Sequence, residues 1–421
     1  MCLDLGGCPP SETIPGVAIA IVDLERSILA DAGLADEGAE RTGWARANMP
    51  VLAGLRAEFE RDRPLEGRRI GMCLHVESKT AVLVEVLVAG GAEVVWTGSP
   101  ATTDDGVAAA LARDERIRVY GTRADTIDEH RAHVERVLAS DPDLLLDNGA
   151  DLIAGTVERS GSRVFAATEE TTSGANRLRE ELEGRVPFPV LVINDSPVKQ
   201  LFENQHGIGP AVLDGFLRAT NCIVAATTFA VVGYGSCGRS LCRTLRALGG
   251  TVISVENNPI RALEAAYEGM LVTHLSRALE RAQVVVTVTG RPGVLRREQL
   301  LTMRDGAMLA NVGHFSTEID VPALEELAVE RRRLNPQVVE YVLPNGRSVR
   351  LLARGEMLNL SAATGHQIQI MDLGFALQAH SLRALAAAPG DFAQGPQPVS
   401  DGINRQIATE ALRTLSAVDL D

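Results

Sequence analysis

Three glycines at the end of an apolar run give the sharpest chemical signal in the chain. Phe229-Ala230-Val231-Val232 leads into Gly233-Tyr234-Gly235-Ser236-Cys237-Gly238, a GxGxxG spacing followed by a helical pattern over Leu241–Leu248. Each glycine has a separate task. Gly233 permits a tight turn, Gly235 lets the backbone approach a pyrophosphate, and Gly238 allows close contact between helix and strand. The first turn of the helix then meets an anion with unpaired N–H groups and the positive end of its dipole. Eighteen residues after Gly238 the next apolar run, Thr251–Val255, ends in Glu256. A carboxylate there accepts hydrogen bonds from both ribose hydroxyls and repels a 2′-phosphate, so the motif predicts NAD rather than NADP. The nearest arginine, Arg261, lies a helical turn further on and reads as solvated.

Other reactive residue types say less by themselves. Glu169-Glu170 before Thr171-Thr172-Ser173 reads as a solvated acidic pair ahead of a capped helix, and Asp104-Asp105 as a cap for 106–113. A single histidine such as His75 is more often a satisfied structural group than a catalyst. His130, His133, His206, His274 and His380 are assigned no chemistry. The six cysteines (Cys2, Cys8, Cys73, Cys222, Cys237, Cys242) form no CxxC pair, which argues for reduced thiols rather than disulfides or structural zinc. Cys237 and Cys242 read as small residues packed against a sheet. No His, Cys or carboxylate cluster has ligand spacing, so no metal is expected.

The elements that must hold these groups alternate in kind. Short apolar runs recur at 69–74, 93–96, 144–146, 190–193, 229–232, 251–255, 284–288 and 308–312, separated by helical patterns such as 79–89, 126–139 and 241–248. That is an α/β protein with buried parallel strands. A seam is expected after Asn204, where Gly207, Gly209 and Pro210 cluster, and a Pro/Gly stretch at 389–398 sets off a last helix over 402–415. At 421 residues the length suggests two or three domains. With 41 basic against 55 acidic residues, a formal charge of −14 and no basic cluster interleaved with aromatics, a nucleic-acid partner is not expected. No apolar run approaches the roughly 20 residues of a membrane span, and no basic segment precedes the apolar stretch 17–22. A cytoplasmic location follows as an expectation.

With the nucleotide motif placed, the flanking segments resemble the S-adenosylhomocysteine hydrolase family over nearly the whole chain. The resemblance rests on Trp44-Ala45-Arg46-Ala47-Asn48-Met49-Pro50, His75-Val76-Glu77-Ser78-Lys79-Thr80, Glu169 to Gly174, Asn194-Asp195-Ser196 with Lys199 and Asn204, Gly313-His314-Phe315 with Glu318 and Asp320, and Asn359 with Gly365-His366. It implies a substrate domain over 1–208 with a return segment 366–390, a Rossmann NAD-binding domain over 209–365, and a short C-terminal tail over 391–421. It also implies a redox-gated elimination on an adenine nucleoside. NAD oxidises the ribose 3′-hydroxyl, the acidified C4′ proton is removed, the 5′ substituent leaves, water adds, and the ketone is reduced again. The resemblance assigns Lys199 to the 3′-hydroxyl proton, Glu170 to the ribose hydroxyls, and His75 to the leaving group and water. His314 and His366 line the nucleoside pocket and its gate, with Glu77, Thr80 and Asp151 on the substrate side. Asn204 stands beside the lysine and the nicotinamide among the catalytic residues, while Thr171, Thr172, Ser173, Asn311 and Asn359 belong with Gly233, Gly235, Gly238 and Glu256 on the NAD side. A homodimer or homotetramer is implied as well.

The departures from the family pattern are local. Asn148 stands where the second of two adjacent aspartates, a catalytic one, is usual; Glu203 replaces an aspartate and so lengthens that arm by a methylene. Ile208 replaces a cysteine, Asp104 stands where a glutamine usually follows the Ser/Thr pair, and Gln367-Ile368 replaces Pro-Ser after His366. Glu77 and Lys79 match the archaeal-type branch, and the family's longer tail, with its lysine and tyrosine, does not follow Leu415. Three readings stay open at this point. One is a working hydrolase in which Glu203 or Lys199 covers for Asn148. Another is a diverged nucleoside enzyme, either a lyase that expels a 5′-hydroxyl as water (a 4′,5′-dehydratase) or an epimerase. The third is an NAD-binding pseudoenzyme.

Overall fold

The computed structural model describes residues 26–100, 102–313 and 316–415. Six short strands build the first sheet: β1 (Arg69–Cys73), β2 (Glu93–Thr97), β3 (Ile117–Tyr120), β4 (Leu144–Asp147), β5 (Ala166–Glu169) and β6 (Pro189–Val192). The second sheet takes β7 (Thr228–Val232), β8 (Thr251–Val255), β9 (Leu271–Val272), β10 (Val284–Thr287), β11 (Ala307–Asn311), β12 (Glu330–Asn335), β13 (Val338–Val342) and β14 (Ser348–Leu352). A last strand, β15 (Gly395–Pro398), returns to the first sheet, which runs β15-β6-β5-β4-β1-β2-β3 with every pairing parallel. The second runs β12-β13-β14-β11-β10-β7-β8-β9 and is antiparallel only where β12, β13 and β14 pair. The α/β class and the Rossmann unit are as expected.

Burial explains why these segments are strands. Leu144, Leu145 and Leu146 in β4 are fully buried, as are Val284 and Val285 in β10, because helices cover both faces of each sheet. The strand order switches direction between the parallel neighbours β1 and β4 in the first sheet, and between β7 and β10 in the second. Loops leaving the carboxyl ends of such strands diverge and open a crevice, which is where α/β sheets bind ligands. His75 follows β1, Asn148 follows β4 and Gly233 follows β7. Sheet topology alone therefore brings three of the expected site residues to crevices.

The C-terminal region differs from the expected division. The twenty-residue helix Ile368–Ala387 packs on the first domain, where the Asp372 carboxylate accepts from the amides of Val51 and Leu52 at 2.9 and 2.8 Å and so caps the helix Pro50–Asp62. The return segment does not end at 390. Residues 395–398 add β15 beside β6, and the helix Asp401–Thr414 lies against the long helix, with Ser196 Oγ donating to Asn404 Oδ1. Pro396 and Pro398 lack N–H donors and so suit an edge strand, a role hidden in a stretch that reads as a linker. Among the described residues no helix is long and apolar enough to cross a membrane.

Candidate active site

A cavity of about 900 Å³ lies between the carboxyl ends of the two sheets and is closed on one side by Met371 and Phe375 of the long helix. Its floor is a charged triplet. Lys199, on the irregular helix Lys199–Gly207, places Nζ between Glu170 Oε1, just after β5, and Glu203 Oε1, one turn along its own helix. All three are buried, so Glu170 is not the solvated acid that its sequence context suggests. Burial works against the Lys199 ammonium, yet the two carboxylates outweigh it and hold its pKa above the usual value. Burial likewise pushes Glu170 upward, against the pull of Lys199. Gln378, one turn beyond Phe375, donates Nε2 to the other Glu170 oxygen. Glu203 Oε2 is buried with no hydrogen-bond partner among the described residues.

Glu169 is buried too, and its work is structural. Its carboxylate accepts from the amides of Gly149, Ala150 and Thr171 at 3.0, 3.0 and 2.8 Å, while Asp147 accepts from Asn148 and Ile153 at 2.9 and 2.8 Å. Burial pushes Glu169 up to about 7 and Asp147 in the same direction. Together they pin the turn at Gly149 and Ala150, whose φ angles of 91° and 60° lie in the left-handed region. Asn148 is thereby held in the cavity wall. Its Nδ2 lies 3.5 Å from His75 Nε2, the limit of a hydrogen bond, and its Oδ1 is buried with no partner among the described residues.

The helix Ser78–Ala89 starts at the same wall. Glu77 caps it, accepting from the amides of Lys79 and Thr80 and from Thr80 Oγ1, and pairs with Lys79 Nζ at 2.9 Å. Lys79 also reaches the carbonyl of Thr364 at 2.6 Å. His366 lies beside Gly207, where a Cβ would come within 2.5 Å of its ring. Burial, aided by the charges of Lys199 and Lys79, pushes His366 down to about 3, which leaves a neutral imidazole facing the cavity. A folded-state pKa below the unfolded value of about 6.5 means the unfolded chain binds the extra proton between pH 6.5 and 3. Stability therefore falls with acid in that window, by about 1.4 kcal/mol per pH unit from this residue. Urea unfolding of His366→Asn at several pH values is expected to lose that slope; a parallel dependence in both proteins refutes it.

The nucleotide crevice has the predicted form. Gly233 has φ 107°, with Val288 O 2.8 Å from where a Cβ would sit, and a Cβ on Gly238 would meet Gly233 O at 2.0 Å. At Gly235 a Cβ would meet, among the described residues, only Arg261 Nη1, at 3.9 Å. The helix Ser236–Ala247 begins directly after Gly235, its N-cap residue. Glu256 accepts from the amides of Tyr234 and Asn258, both at 2.8 Å, and faces the cavity with lone pairs to spare. These residues fit NAD: an open cradle for the pyrophosphate and a fixed carboxylate for the ribose.

The remaining expected residues divide. Thr171, Thr172, Ser173, Asn204 and Asn359 line the cavity, and Asn359 Oδ1 is buried without a partner among the described residues. Thr171 is also the cap of the helix Thr172–Glu180, as its sequence context predicted. Asn311 is fully buried behind the wall, where it bonds both backbone groups of Gly313. Asp151 turns away from the cavity into ion pairs with Arg177 and His130 at 2.7 and 3.3 Å. His314 lies outside the described residues. Sequence reading did not single out Gln378 or Gly374, on the long helix, or Gln200, whose Oε1 accepts from Ser236 Oγ at 2.8 Å across the crevice.

Fold and site define a two-domain NAD-dependent enzyme with a buried lysine–carboxylate centre. Residues 26–166 match the family description "S-adenosyl-L-homocysteine hydrolase", and residues 204–365 match its NAD binding domain. The chain is 45% identical to the S-inosyl-L-homocysteine hydrolase of Methanopyrus kandleri over 91% of its own length and 92% of that protein's. It is 44% identical to the adenosylhomocysteinase of Aquifex aeolicus, covering 83% and 85% of the two chains, and 42% identical to that of Sulfurisphaera tokodaii, covering 90% and 92%. The chain belongs to the S-adenosyl-L-homocysteine hydrolase family and is an NAD-dependent hydrolase.

Proposed function

We propose that this enzyme hydrolyses the thioether of a purine nucleoside–homocysteine conjugate, S-adenosyl-L-homocysteine in the first instance. The observation that carries the reading is Lys199 buried between Glu170 and Glu203 on the cavity floor. Gly233, Gly235, Gly238 and Glu256 would hold NAD, which when bound supplies the acceptor and later the donor of a ribose hydride. Lys199 rests as an ammonium. The 3′-hydroxyl proton passes through this network, Nζ handing one of its own protons to a carboxylate partner as it takes up the one from the hydroxyl. Glu203 Oε2, with no other partner among the described residues, accepts from a ribose hydroxyl. On the 5′ side His75 carries the proton traffic alone, because the Asn148 amide can orient a group but takes up no proton. His366 meets the nucleoside as a neutral ring. We further infer a cytoplasmic homodimer or homotetramer.

A second substrate, S-inosyl-L-homocysteine, is favoured by Lys79. Its ammonium is buried in the cavity wall and carries only donors. A 6-oxo purine offers it an acceptor; the adenine 6-amino group does not. The test is thiol release by purified protein with NAD from each conjugate, with the free nucleoside removed enzymatically. Sustained turnover of the adenosyl compound supports the first substrate, turnover of the inosyl compound alone supports the second, and silence with both defeats the proposal.

A further inference from the structure

Helix Ile368–Ala387 touches the charged floor at two positions one turn apart. Gln378 donates to Glu170. Gly374, four residues earlier on the same face, acts by having no side chain. A Cβ built there would stand 2.9 Å from Glu203 Oε2, the sole atom beyond its immediate helix surroundings within 4 Å among the described residues. That distance is shorter than real Cβ contacts, so the carboxylate would have to move. Glu203 has no free choice of place: its Oε1 is held by Lys199, and the residue is 7% exposed. The glutamate arm, one methylene longer than an aspartate's, places Oε2 against the helix. A glycine in the interior of a twenty-residue helix is otherwise a liability relative to alanine.

From this geometry we infer that Gly374 is a positioning residue coupled to Glu203: its missing side chain is the space that lets a glutamate serve where a shorter aspartate would otherwise pair with Lys199. The two residues form one device. Glu203 on a shortened arm would withdraw from the helix and make alanine at 374 harmless. The inference rests on the Lys199 centre as the site of nucleoside oxidation, and part of its test is independent of that reading.

The experiment is a double-mutant cycle on the NAD-loaded protein with Gly374→Ala, Glu203→Asp and the combination, read by thermal unfolding and by reduction of bound NAD on adding nucleoside. With Glu203 native, Gly374→Ala is expected to lower the unfolding midpoint and slow cofactor reduction tenfold or more. In the Glu203→Asp background the same change is expected to raise the midpoint, as alanine for glycine does in an unobstructed helix. Cofactor reduction there should stay within threefold of the Glu203→Asp single variant. A midpoint that moves the same way in both backgrounds, or cofactor reduction slowed equally in both, overturns the coupling. If the native protein reduces no cofactor with any nucleoside, the oxidation reading fails, while the sign of the midpoint shift still decides whether Gly374 makes room for Glu203.

Discussion

Replacing Lys199 with alanine is expected to abolish reduction of bound NAD by nucleoside, with a loss of about 10³-fold or more, within the 10²–10⁴ typical of a positioned acid–base group. Two effects act together. The variant removes the Nζ through which the 3′-hydroxyl proton passes, and it leaves Glu170 and Glu203 facing each other without a cation. Breaking a buried ion pair by deleting one partner costs about 3–5 kcal/mol, because the charge left behind is still out of water. The abandoned carboxylates respond by binding protons. Their folded-state pKa values rise above the unfolded ones, so the variant recovers stability as pH falls and loses it as pH rises through the raised values. Two measurements separate the effects: NADH absorbance after mixing with nucleoside, and urea unfolding at neutral and mildly acid pH. Undiminished cofactor reduction would remove Lys199 from the centre of the site. A stability deficit that does not shrink with acid would mean that water, rather than protons, compensates the carboxylates.

Much of the fold was legible because period and punctuation agree. Eight of the strands, from β1 to β11, announce themselves as apolar runs bounded by turn residues, and the GxGxxG crevice follows directly from one of them. Others were not legible for physical reasons. Ile117-Arg118-Val119-Tyr120 mixes an arginine into its run, and Glu330 to Asn335 is an exposed edge strand with almost no apolar content. Gly395–Pro398 is an edge strand made largely of turn residues. At the site the limit is of another kind. Local pattern correctly made Thr171 a cap but made Glu169 and Glu170 solvated, because nothing local reveals that β5 is buried or that Lys199, twenty-nine residues on, returns to it. Gln378 and Gly374 were invisible for the same reason. Their roles depend on which face of a largely buried helix meets the cavity, and Gly374 contributes an absence. Asp151 shows the reverse error, since a motif match is no guarantee of direction: Arg177 draws its carboxylate out of the cavity.

Asn148→Asp is expected to raise thiol release from S-adenosyl-L-homocysteine about a hundredfold, the lower end of what a general acid–base group is worth. The backbone is already set for it. Asp147 and Glu169 hold the turn through amide N–H groups that do not involve the Asn148 side chain, so exchanging amide for carboxylate changes chemistry and hardly changes shape. The new carboxyl would face His75 at the distance now occupied by Nδ2, 3.5 Å, and could share its proton as an amide cannot. Burial and the neighbouring Asp147 and Glu169 would push its pKa upward, as burial and Glu169 do to Asp147, toward the range where a carboxylic acid exchanges protons near neutral pH. The change has a cost of known sign. A third acid in the cluster binds a proton more tightly folded than unfolded, so the variant should lose stability as pH rises and keep it under acid. An increase in rate would identify the natural asparagine as a brake on the 5′-side step. No change would mean that His75 alone already suffices there. A decrease would make the amide itself a working group, whose buried Oδ1 accepts a hydrogen bond from the 5′ substituent that a shared proton would disrupt.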